Sequence, residues 1–244
     1  MKNEKIDIVI PLGSESFSSN LALRLALRSI ERFAAGAGQI WIVGDTVPDW
    51  LQNVRIVTEP DRHFHNKDAN IIDKLLAAAN QKDLSERFIF WSDDQIALHR
   101  FIVQDMQPVF NRRSRKDFTR ERMWHRRMRR TFDFLAQQGK KLHWNWDSHV
   151  PQIMQKKLFK KIMAGVDYQT PEGYCVNTLY FGLTDTSPRL EQSRIKTTCE
   201  TAQHYPYLPR ERLFIGYNDA ACRGNILQLL QEYLPAKSVY ERQE

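Results

Sequence analysis

Two adjacent carboxylates, Asp93 and Asp94, follow a short apolar run at residues 88–91. The run has the length and the aromatic and β-branched content of a buried strand, and chemistry in open α/β sheets lies at the ends of such strands. Neighbouring carboxylates repel each other unless a cation or several donors share their charge, so the pair favours a divalent metal, Mn²⁺ or Mg²⁺. In the alternative interpretation, Asp94 caps a turn and Asp93 is solvated.

The segment at residues 20–98 contains four motifs whose order and spacing match a known pattern. They are residues 27–31 (LRSIE), 40–45 (IWIVGD), 48–51 (PDWL) and 84–88 (LSERF), the last running into the acidic pair. In these motifs the chain resembles the central region of the Stealth-type sugar-phosphate transferases. The resemblance implies a GT-A-like fold and transfer of a sugar from a nucleotide sugar. The opening strand departs from the family pattern, because it ends in PLGS at residues 11–14, so a sugar-phosphate donor is kept as an alternative.

The pattern of elements predicts an α/β protein: a GT-A-like (Rossmann-like), mostly parallel sheet flanked by helices, with an inserted basic helix. Strands are predicted at residues 6–11, 39–43, 54–57, 88–91 and 176–183, and a turn at 13–16. Helices are predicted from a cap at Ser19 or Asn20 to Ala35, and at 66–79, 118–138, 156–163 and 225–234. We divide the chain into a nucleotide-sugar-binding half (1–110), a basic helical insertion (111–141) and an acceptor-side half of the same domain (142–244).

The composition, with 42% apolar residues in a chain of 244, is that of a globular protein with a proper core. The sequence has no apolar run of the roughly 20 residues that span a bilayer and no signal-peptide core, so we expect a cytoplasmic location. Three widely spaced cysteines suggest neither a disulfide framework nor a zinc site. There is also no P-loop and no dinucleotide-binding glycine motif.

Three residues at the ends of the first two strands are candidates for contact with the nucleotide. If the fold is GT-A-like, the backbone from Pro11 to Gly13 faces the base. The second strand delivers Asp45 to the same edge of the sheet, where it would accept a hydrogen bond from the base or the ribose. The alternative for Asp45 is that it begins an ordinary turn before Pro48.

The start of the helix predicted at residues 66–79 is dense in hydrogen-bonding groups. A helix N-terminus favours anionic oxygens through its free N–H groups, and a lysine there adds a mobile positive charge. We therefore predict that Asn66, Lys67 and Asn70 touch the donor diphosphate or sugar hydroxyls. The alternative is a capped surface helix.

Residues 142–151 (LHWNWDSHVP) combine aromatic, acidic and histidine side chains without a helical pattern. Flat rings beside Asp and His suit a sugar- or base-stacking pocket, which makes Trp144 and Trp146 candidates. In the GT-A enzymes the metal gains a further ligand from later in the chain, and His149 is our candidate. Asp147 is the candidate general base for an acceptor hydroxyl if the reaction inverts configuration. The alternative for His149 is a hydrogen bond to a loop carbonyl.

One segment carries the positive charge of the chain. The net charge is +7, and between Arg112 and Arg130 basic residues exceed acidic ones by eight. The predicted helix there has an apolar stripe formed by Trp124, Met128, Phe132 and Leu135. Beside the stripe stand Arg120, Arg122, Arg126, Arg127, Arg129 and Arg130. So many arginines on one helix repel one another unless phosphates neutralise them, so the segment favours nucleic acid. An anionic membrane surface or lipid-linked acceptor and a merely solvated face are the alternatives.

These observations predict a metal-dependent hexosyl- or pentosyltransferase that uses a nucleotide sugar, most simply a UDP-sugar. The basic segment suggests DNA as the acceptor, for example a hydroxymethylpyrimidine that leaves the base stack, with Trp144 or Trp146 taking its place. The Stealth-type resemblance implies the alternative acceptor, a cell-envelope glycan or its lipid carrier. A non-catalytic nucleic-acid-binding protein on a transferase fold is the third interpretation.

Overall fold

The computed structural model describes residues 5–13, 20–184, 186 and 189–242. Residues 14–16 of the predicted turn and the predicted cap Ser19 lie outside these ranges. The described chain is a mixed α/β protein with a mostly parallel central sheet flanked by helices. This architecture is compatible with the predicted Rossmann-like arrangement.

The described residues form twelve strands and six α-helices. The strands are β1 (Ile6–Pro11), β2 (Ala34–Ala35), β3 (Ala37–Gly44), β4 (Arg55–Thr58), β5 (Arg87–Phe90), β6 (Gln95–Ala97), β7 (Phe101–Ile102), β8 (Val109–Phe110), β9 (Gln152–Gln155), β10 (Leu190–Glu191), β11 (Lys196–Cys199) and β12 (Phe214–Tyr217). The helices are α1 (Leu21–Phe33), α2 (Lys67–Ala79), α3 (Met123–Gln137), α4 (Lys156–Met163), α5 (Val176–Leu183) and α6 (Ile226–Tyr233).

The central sheet has the strand order β4-β3-β1-β5-β9, and only β9 runs antiparallel to its neighbour. A second sheet has the order β11-β12-β6, with β6 antiparallel to β12. Two short parallel pairs, β10 with β8 and β2 with β7, complete the described strands. The four strands predicted for the first 91 residues are all present, within one or two residues of the predicted bounds.

The central sheet is covered on both faces because its strands are apolar on both sides. Ile6, Ile8 and Ile10 of β1 pack in one cluster with Leu23 and Leu27 of α1. On the opposite face, Val9 packs with residues of α2, α4 and α5 in a second cluster. This double burial is why β1 is apolar along its length except at Asp7.

Residues 176–183 form helix α5, so the prediction of a strand there was wrong. The segment is rich in β-branched and aromatic residues, which favour strands, and it is buried from Val176 to Gly182. Burial on all sides removes the polar face that would reveal a helical period, so tertiary packing overrides the local preference. A Cβ on Gly182 would lie 2.5 Å from Leu135 Cδ1, so α5 packs closely on α3.

Helix α3 is shorter than the predicted 118–138 helix, because residues before Met123 form a separate turn of 3₁₀ helix and a loop. Met128, Phe132 and Leu135 of the predicted stripe are buried. Trp124 remains 39% exposed and contacts the Phe118 ring edge to face. The stripe therefore docks α3 on the body over three of its four positions.

Candidate active site

The acidic pair lies where the central sheet gives way to the second sheet. Asp93 and Asp94 follow β5, which pairs in parallel with β1. Strand β6 begins directly after the pair and leaves to join β12, with Gln95 opposite Gly216. The two carboxylates therefore stand at the carboxyl edge of parallel strands, where α/β proteins place their ligands.

Asp94 is held by His149, which lies 55 positions later in the chain. The Nε2 atom of His149 is 2.9 Å from Asp94 Oδ2. The other oxygen, Oδ1, is buried and has no hydrogen-bond partner in the described chain. His149 itself has a φ of +52°, the left-handed conformation that is uncommon outside glycine. A buried oxygen without a partner and a strained backbone are both characteristic of ligand sites.

Asp93 stands in an environment that disfavours its ionised form. Burial, reinforced by the charge of Asp94 and to a smaller degree Asp219, raises the pKa of Asp93 from 3.8 to about 7. The site therefore carries negative charge that the surrounding protein does not neutralise. A bound cation would stabilise both carboxylates in their ionised form.

Among the described residues, no three His, Cys, Asp or Glu side chains converge to hold a metal ion by themselves. The predicted ligand His149 contacts Asp94, and its role as a ligand stays a prediction. The two carboxylates of the acidic pair are oxygen donors of the kind that Mg²⁺ and Mn²⁺ take, and a metal at this place stays a prediction. Mg²⁺ is usually held by one or two carboxylates plus substrate phosphates and water, and the unpartnered oxygen of Asp94 is a ready ligand.

Two site residues, Lys196 and Tyr217, were missed from the sequence. Lys196 is 7% exposed, and its Nζ atom donates to the Ser148 carbonyl at 3.2 Å. Burial lowers its pKa to about 8, opposed by the charges of Glu200 and Asp94, so it carries a positive charge at pH 7.

The hydroxyl of Tyr217 is buried without a partner in the described chain. Burial and the charges of Asp94 and Asp93 raise its pKa well above the usual value. The only sequence signal for either residue was a polar side chain inside a short β-rich run in the second half of the chain.

The Asp147 carboxylate is bound by hydrogen bonds from Thr178 at the start of α5. Its Oδ2 atom accepts hydrogen bonds from the backbone N–H of Thr178 at 3.1 Å and from the Thr178 hydroxyl at 2.5 Å. Burial and the charge of Asp68 raise the pKa of Asp147 to about 7, a value suited to a general base near neutral pH. Asp68 also accepts from the N–H of Val176, so two carboxylates cap the start of α5.

The start of α2 departs from its predicted role. Asn66 is the N-cap of α2, and its side-chain amide also donates to the carbonyls of Tyr168 and Thr170. Asn70 accepts from two backbone N–H groups of the preceding loop and donates to the carbonyl of His63. Both amides are almost fully buried. We therefore correct their assignment from donor contacts to packing of this loop, while Lys67 remains exposed.

The ends of β1 and β3 meet as predicted. Pro11 pairs with Val43, so Asp45 and Gly13 emerge at the same edge of the sheet. Both of these residues are exposed, and a Cβ on Gly13 would meet nothing within 4 Å. The backbone at Gly13 is therefore accessible to a ligand. It lies at the same edge of the sheet as the acidic pair, because β1, β3 and β5 are parallel.

The six arginines that were predicted to contact nucleic acid divide into two sets. The first set is used inside the protein: Arg127 is 5% exposed and binds Asp68 at 2.7 Å, Arg129 binds Glu121, and Arg130 binds Glu172. Arg127 is thus corrected from a predicted phosphate contact to a buried link between α3 and α2. The second set, Arg120, Arg122 and Arg126, is exposed and makes no ion pair within the described residues.

The two candidate stacking residues differ in accessibility. Trp146 is 4% exposed and packs on the rings of Phe110 and Phe181, so it is a core residue and the predicted stacking role is corrected. Trp144 is 38% exposed and lies with Arg189 and His143 around a small surface cavity. Only Trp144 is placed to stack on a ligand.

Comparison with known proteins adds no relative: the sequence matches no protein-family model and no curated protein. In the part of the chain that the structure describes, no helix is both long enough and apolar enough to cross a membrane.

Proposed function

We propose that this protein is a metal-dependent glycosyltransferase on a GT-A-like fold, moving a sugar from a nucleotide sugar to a hydroxyl acceptor. One observation carries the proposal. Asp94, at the carboxyl edge of the parallel sheet, holds one oxygen on His149 and leaves the other buried without a partner in the described chain. The motifs in which the sequence resembles the Stealth-type transferases run into this acidic pair.

In this proposal the donor lies along the sheet edge that carries the ends of β1 and β3 and the acidic pair. The exposed backbone at Gly13 and the carboxylate of Asp45 are available to the nucleoside, and Asp93 and Asp94 lie at the next strand end of the sheet. When Mg²⁺ or Mn²⁺ is bound here, it supplies positive charge that stabilises the departing nucleoside diphosphate. His149 keeps the carboxylate of Asp94 in one orientation.

In this proposal Asp147 is the general base that accepts the acceptor's proton. It lies two positions before His149 and has a pKa of about 7. Thr178 holds one of its oxygens. A base with this pKa is half ionised at neutral pH, and the most effective general bases have pKa values near the working pH.

The acceptor that we propose is a hydroxymethylpyrimidine in DNA. Arg120, Arg122 and Arg126 supply exposed positive charge, and Trp144 supplies an exposed ring. Three of the six predicted arginines are therefore available to DNA, so this basic surface is smaller than the sequence suggested. A cell-envelope glycan, as in the Stealth-type transferases, is the competing acceptor.

The first experiment incubates the protein with Mn²⁺, DNA containing hydroxymethylpyrimidines and a panel of nucleotide sugars. Nucleoside mass spectrometry is the readout for transfer, and nucleotide release is the readout for donor cleavage. Asp93→Asn with Asp94→Asn should lower both at least 100-fold, whereas the exposed Asp83→Asn should lower neither. A wild-type protein that cleaves no donor in the panel would contradict the transferase proposal and favour the binding protein.

A second experiment separates the acceptors. The variant R120E/R122E/R126E reverses the exposed arginines, and K157E/K160E/K161E reverses three exposed lysines of α4 with the same change in charge. We expect the first variant to lose transfer to DNA while its donor cleavage stays intact, and the second to keep both. Equal transfer by the two variants would rule out the three exposed arginines as the DNA-binding face. Donor cleavage by the wild-type protein without transfer to DNA would rule out DNA as the acceptor and direct the search to glycans.

A further inference from the structure

We propose that Lys196 is the residue that binds the diphosphate of the donor, by reaching into the site from the second sheet. The inference rests on the proposed function. It assigns the diphosphate to a residue 129 positions later than the lysine at the start of α2, on a strand that lies outside the central sheet.

The position of Lys196 is fixed by the pairing of the second sheet. Strand β11 pairs with β12, and β12 pairs with β6, the strand that begins directly after Asp94. The point where a Cβ of Gly216 would lie is 2.8 Å from Lys196 Cε and 3.2 Å from His149 Nδ1. Lys196 and His149 therefore flank the same glycine, and His149 is in turn bonded to Asp94.

The ammonium group of Lys196 lacks the partners that a buried charge requires. Lys196 is only 7% exposed. In the described chain its Nζ atom donates one hydrogen bond, to the Ser148 carbonyl at 3.2 Å. Within the same part of the chain it forms no ion pair within 4.0 Å. An ammonium has three N–H donors, and burying a charge without a close counter-charge is costly. The unused donors and charge fit an anionic ligand group.

The neighbouring acidic residues decide which anion this is. A simple anion would be repelled by Asp93 and Asp94, whereas a diphosphate bound together with a divalent cation carries charges of both signs. Such a ligand satisfies the carboxylates through the cation and Lys196 through a phosphate oxygen. In the transfer step the acceptor oxygen forms a bond to the sugar carbon and its proton passes to the general base, while the bond from the sugar to the diphosphate oxygen breaks with its electron pair on that oxygen. Lys196 is placed to stabilise the resulting charge.

Calorimetric titration of the purified full chain tests the inference. UDP, GDP, ADP and CDP are titrated in the presence of Mn²⁺, and the diphosphate that binds tightest is compared with its nucleoside. Lys196→Met should weaken binding of that diphosphate about 10- to 100-fold, as expected for loss of a charged hydrogen bond. It should leave binding of the nucleoside unchanged. The matched control Lys161→Met removes an exposed lysine of α4 and should change neither.

The outcomes separate the inference from the proposed function. If the wild-type protein binds none of the four diphosphates, the donor proposal and this inference both fail. If the wild-type protein binds a diphosphate and Lys196→Met binds it equally well, the inference is overturned and the transferase proposal stands. The same holds if Lys196→Met weakens binding of the nucleoside as much as binding of the diphosphate. Lys196→Gln removes the charge while keeping a polar side chain with N–H donors, one bond shorter than that of lysine, so it replaces the Met variant should that one not fold.

Discussion

Gly216 is the residue on which the close approach of Lys196 and His149 depends. A Cβ at this position would lie 2.8 Å from Lys196 Cε and 3.0 Å from the His149 carbonyl oxygen. Lysine is flexible, but the carbonyl belongs to a residue already held at a φ of +52°. The absent side chain thus permits the contact between the second sheet and the acidic pair.

Gly216→Ala should therefore weaken nucleoside diphosphate binding and lower the free energy of unfolding by about 1–3 kcal/mol, as overpacking does. Calorimetric titration and chemical denaturation measure the two effects. Gly165→Ala is the matched control, because a Cβ there would be an ordinary 3.6 Å from its nearest neighbour, the Ile162 carbonyl. Equal effects of the two substitutions would show that Gly216 does not control the site.

Helix α5 begins on two carboxylates that come from distant parts of the chain. Asp68 accepts from the N–H of Val176, and Asp147 accepts from the N–H of Thr178. Free N–H groups at a helix start favour negative charge. Burial nevertheless raises the pKa of Asp147 from 3.8 to about 7, so its desolvation outweighs these hydrogen bonds.

The pH dependence of Asp147→Asn tests this balance. The folded protein retains the proton of Asp147 up to about pH 7, whereas an unfolded chain releases it near 3.8. The stability that the neutral form contributes is therefore present below pH 3.8 and is lost as the pH rises through 7. Asn stays neutral, so the stability of the variant relative to wild type should rise by about 1–3 kcal/mol between pH 5 and pH 8.

Asp117→Asn is the control of opposite sign, measured over the same pH range by thermal unfolding. A hydrogen bond from the backbone of Ser114 lowers the pKa of Asp117, so this substitution should lower stability at both pH values. If the relative stability of Asp147→Asn does not change with pH, Asp147 is ionised throughout. Its pKa would then be too low for the base that we propose.

Elements with a clear burial pattern were predictable from the sequence, and those without one were not. The bounds of α4 match the prediction at residues 156–163, because a helical period of apolar residues marks it. Strand β1 matches the prediction at 6–11, because a run that is apolar except at Asp7 marks it. Helix α5 carries no such mark, since it is buried on all sides. The two-residue strands β2, β7, β8 and β10 are set by long-range pairing, which no local signal reveals.

In the candidate site, the sequence indicates the residues that lie in stretches dense in acidic, histidine and aromatic side chains. The contact between Asp94 and His149 joins two segments that were chosen separately for their composition. Lys196 and Tyr217 lie in runs that look like ordinary strands, so only the three-dimensional structure brings them to the acidic pair. Arg127 and Trp146 show the reverse error. The sequence indicates them as ligand contacts, but both side chains are buried in the folded protein.

An ion-pair network around the buried Glu241 joins the C-terminal segment to helix α1. The side chain of Glu241 accepts from Arg28 Nε at 2.8 Å, from Arg24 Nη1 at 3.0 Å and from the N–H of Ser238 at 2.9 Å. The backbone on either side of it pairs with residues 50–52. These contacts fasten the C-terminal segment across α1, one of the two layers that cover the central sheet.

Glu241→Gln should therefore lower the free energy of unfolding at pH 7 by about 3 kcal/mol, because it leaves two arginines without their buried counter-charge. Burial acts to raise the pKa of Glu241, but the hydrogen bonds from Arg28, Ser238 and Arg24 lower it to about 2. A carboxyl with a depressed pKa contributes stability above its unfolded value of 4.5, and that contribution is lost as the pH falls through 2. The difference between the variant and wild type should therefore shrink between pH 4.5 and pH 2.

Urea denaturation across this pH range measures the difference, with Asp133→Asn as the control. Asp133 pairs with Arg115 on the surface, where both side chains are about half exposed, so its substitution should cost less than about 0.5 kcal/mol at any pH. A Glu241 variant as stable as this control at pH 7 would show that the C-terminal segment is held by its backbone pairing alone. A large but pH-independent loss would place the stabilisation in packing of the side chain instead of its charge.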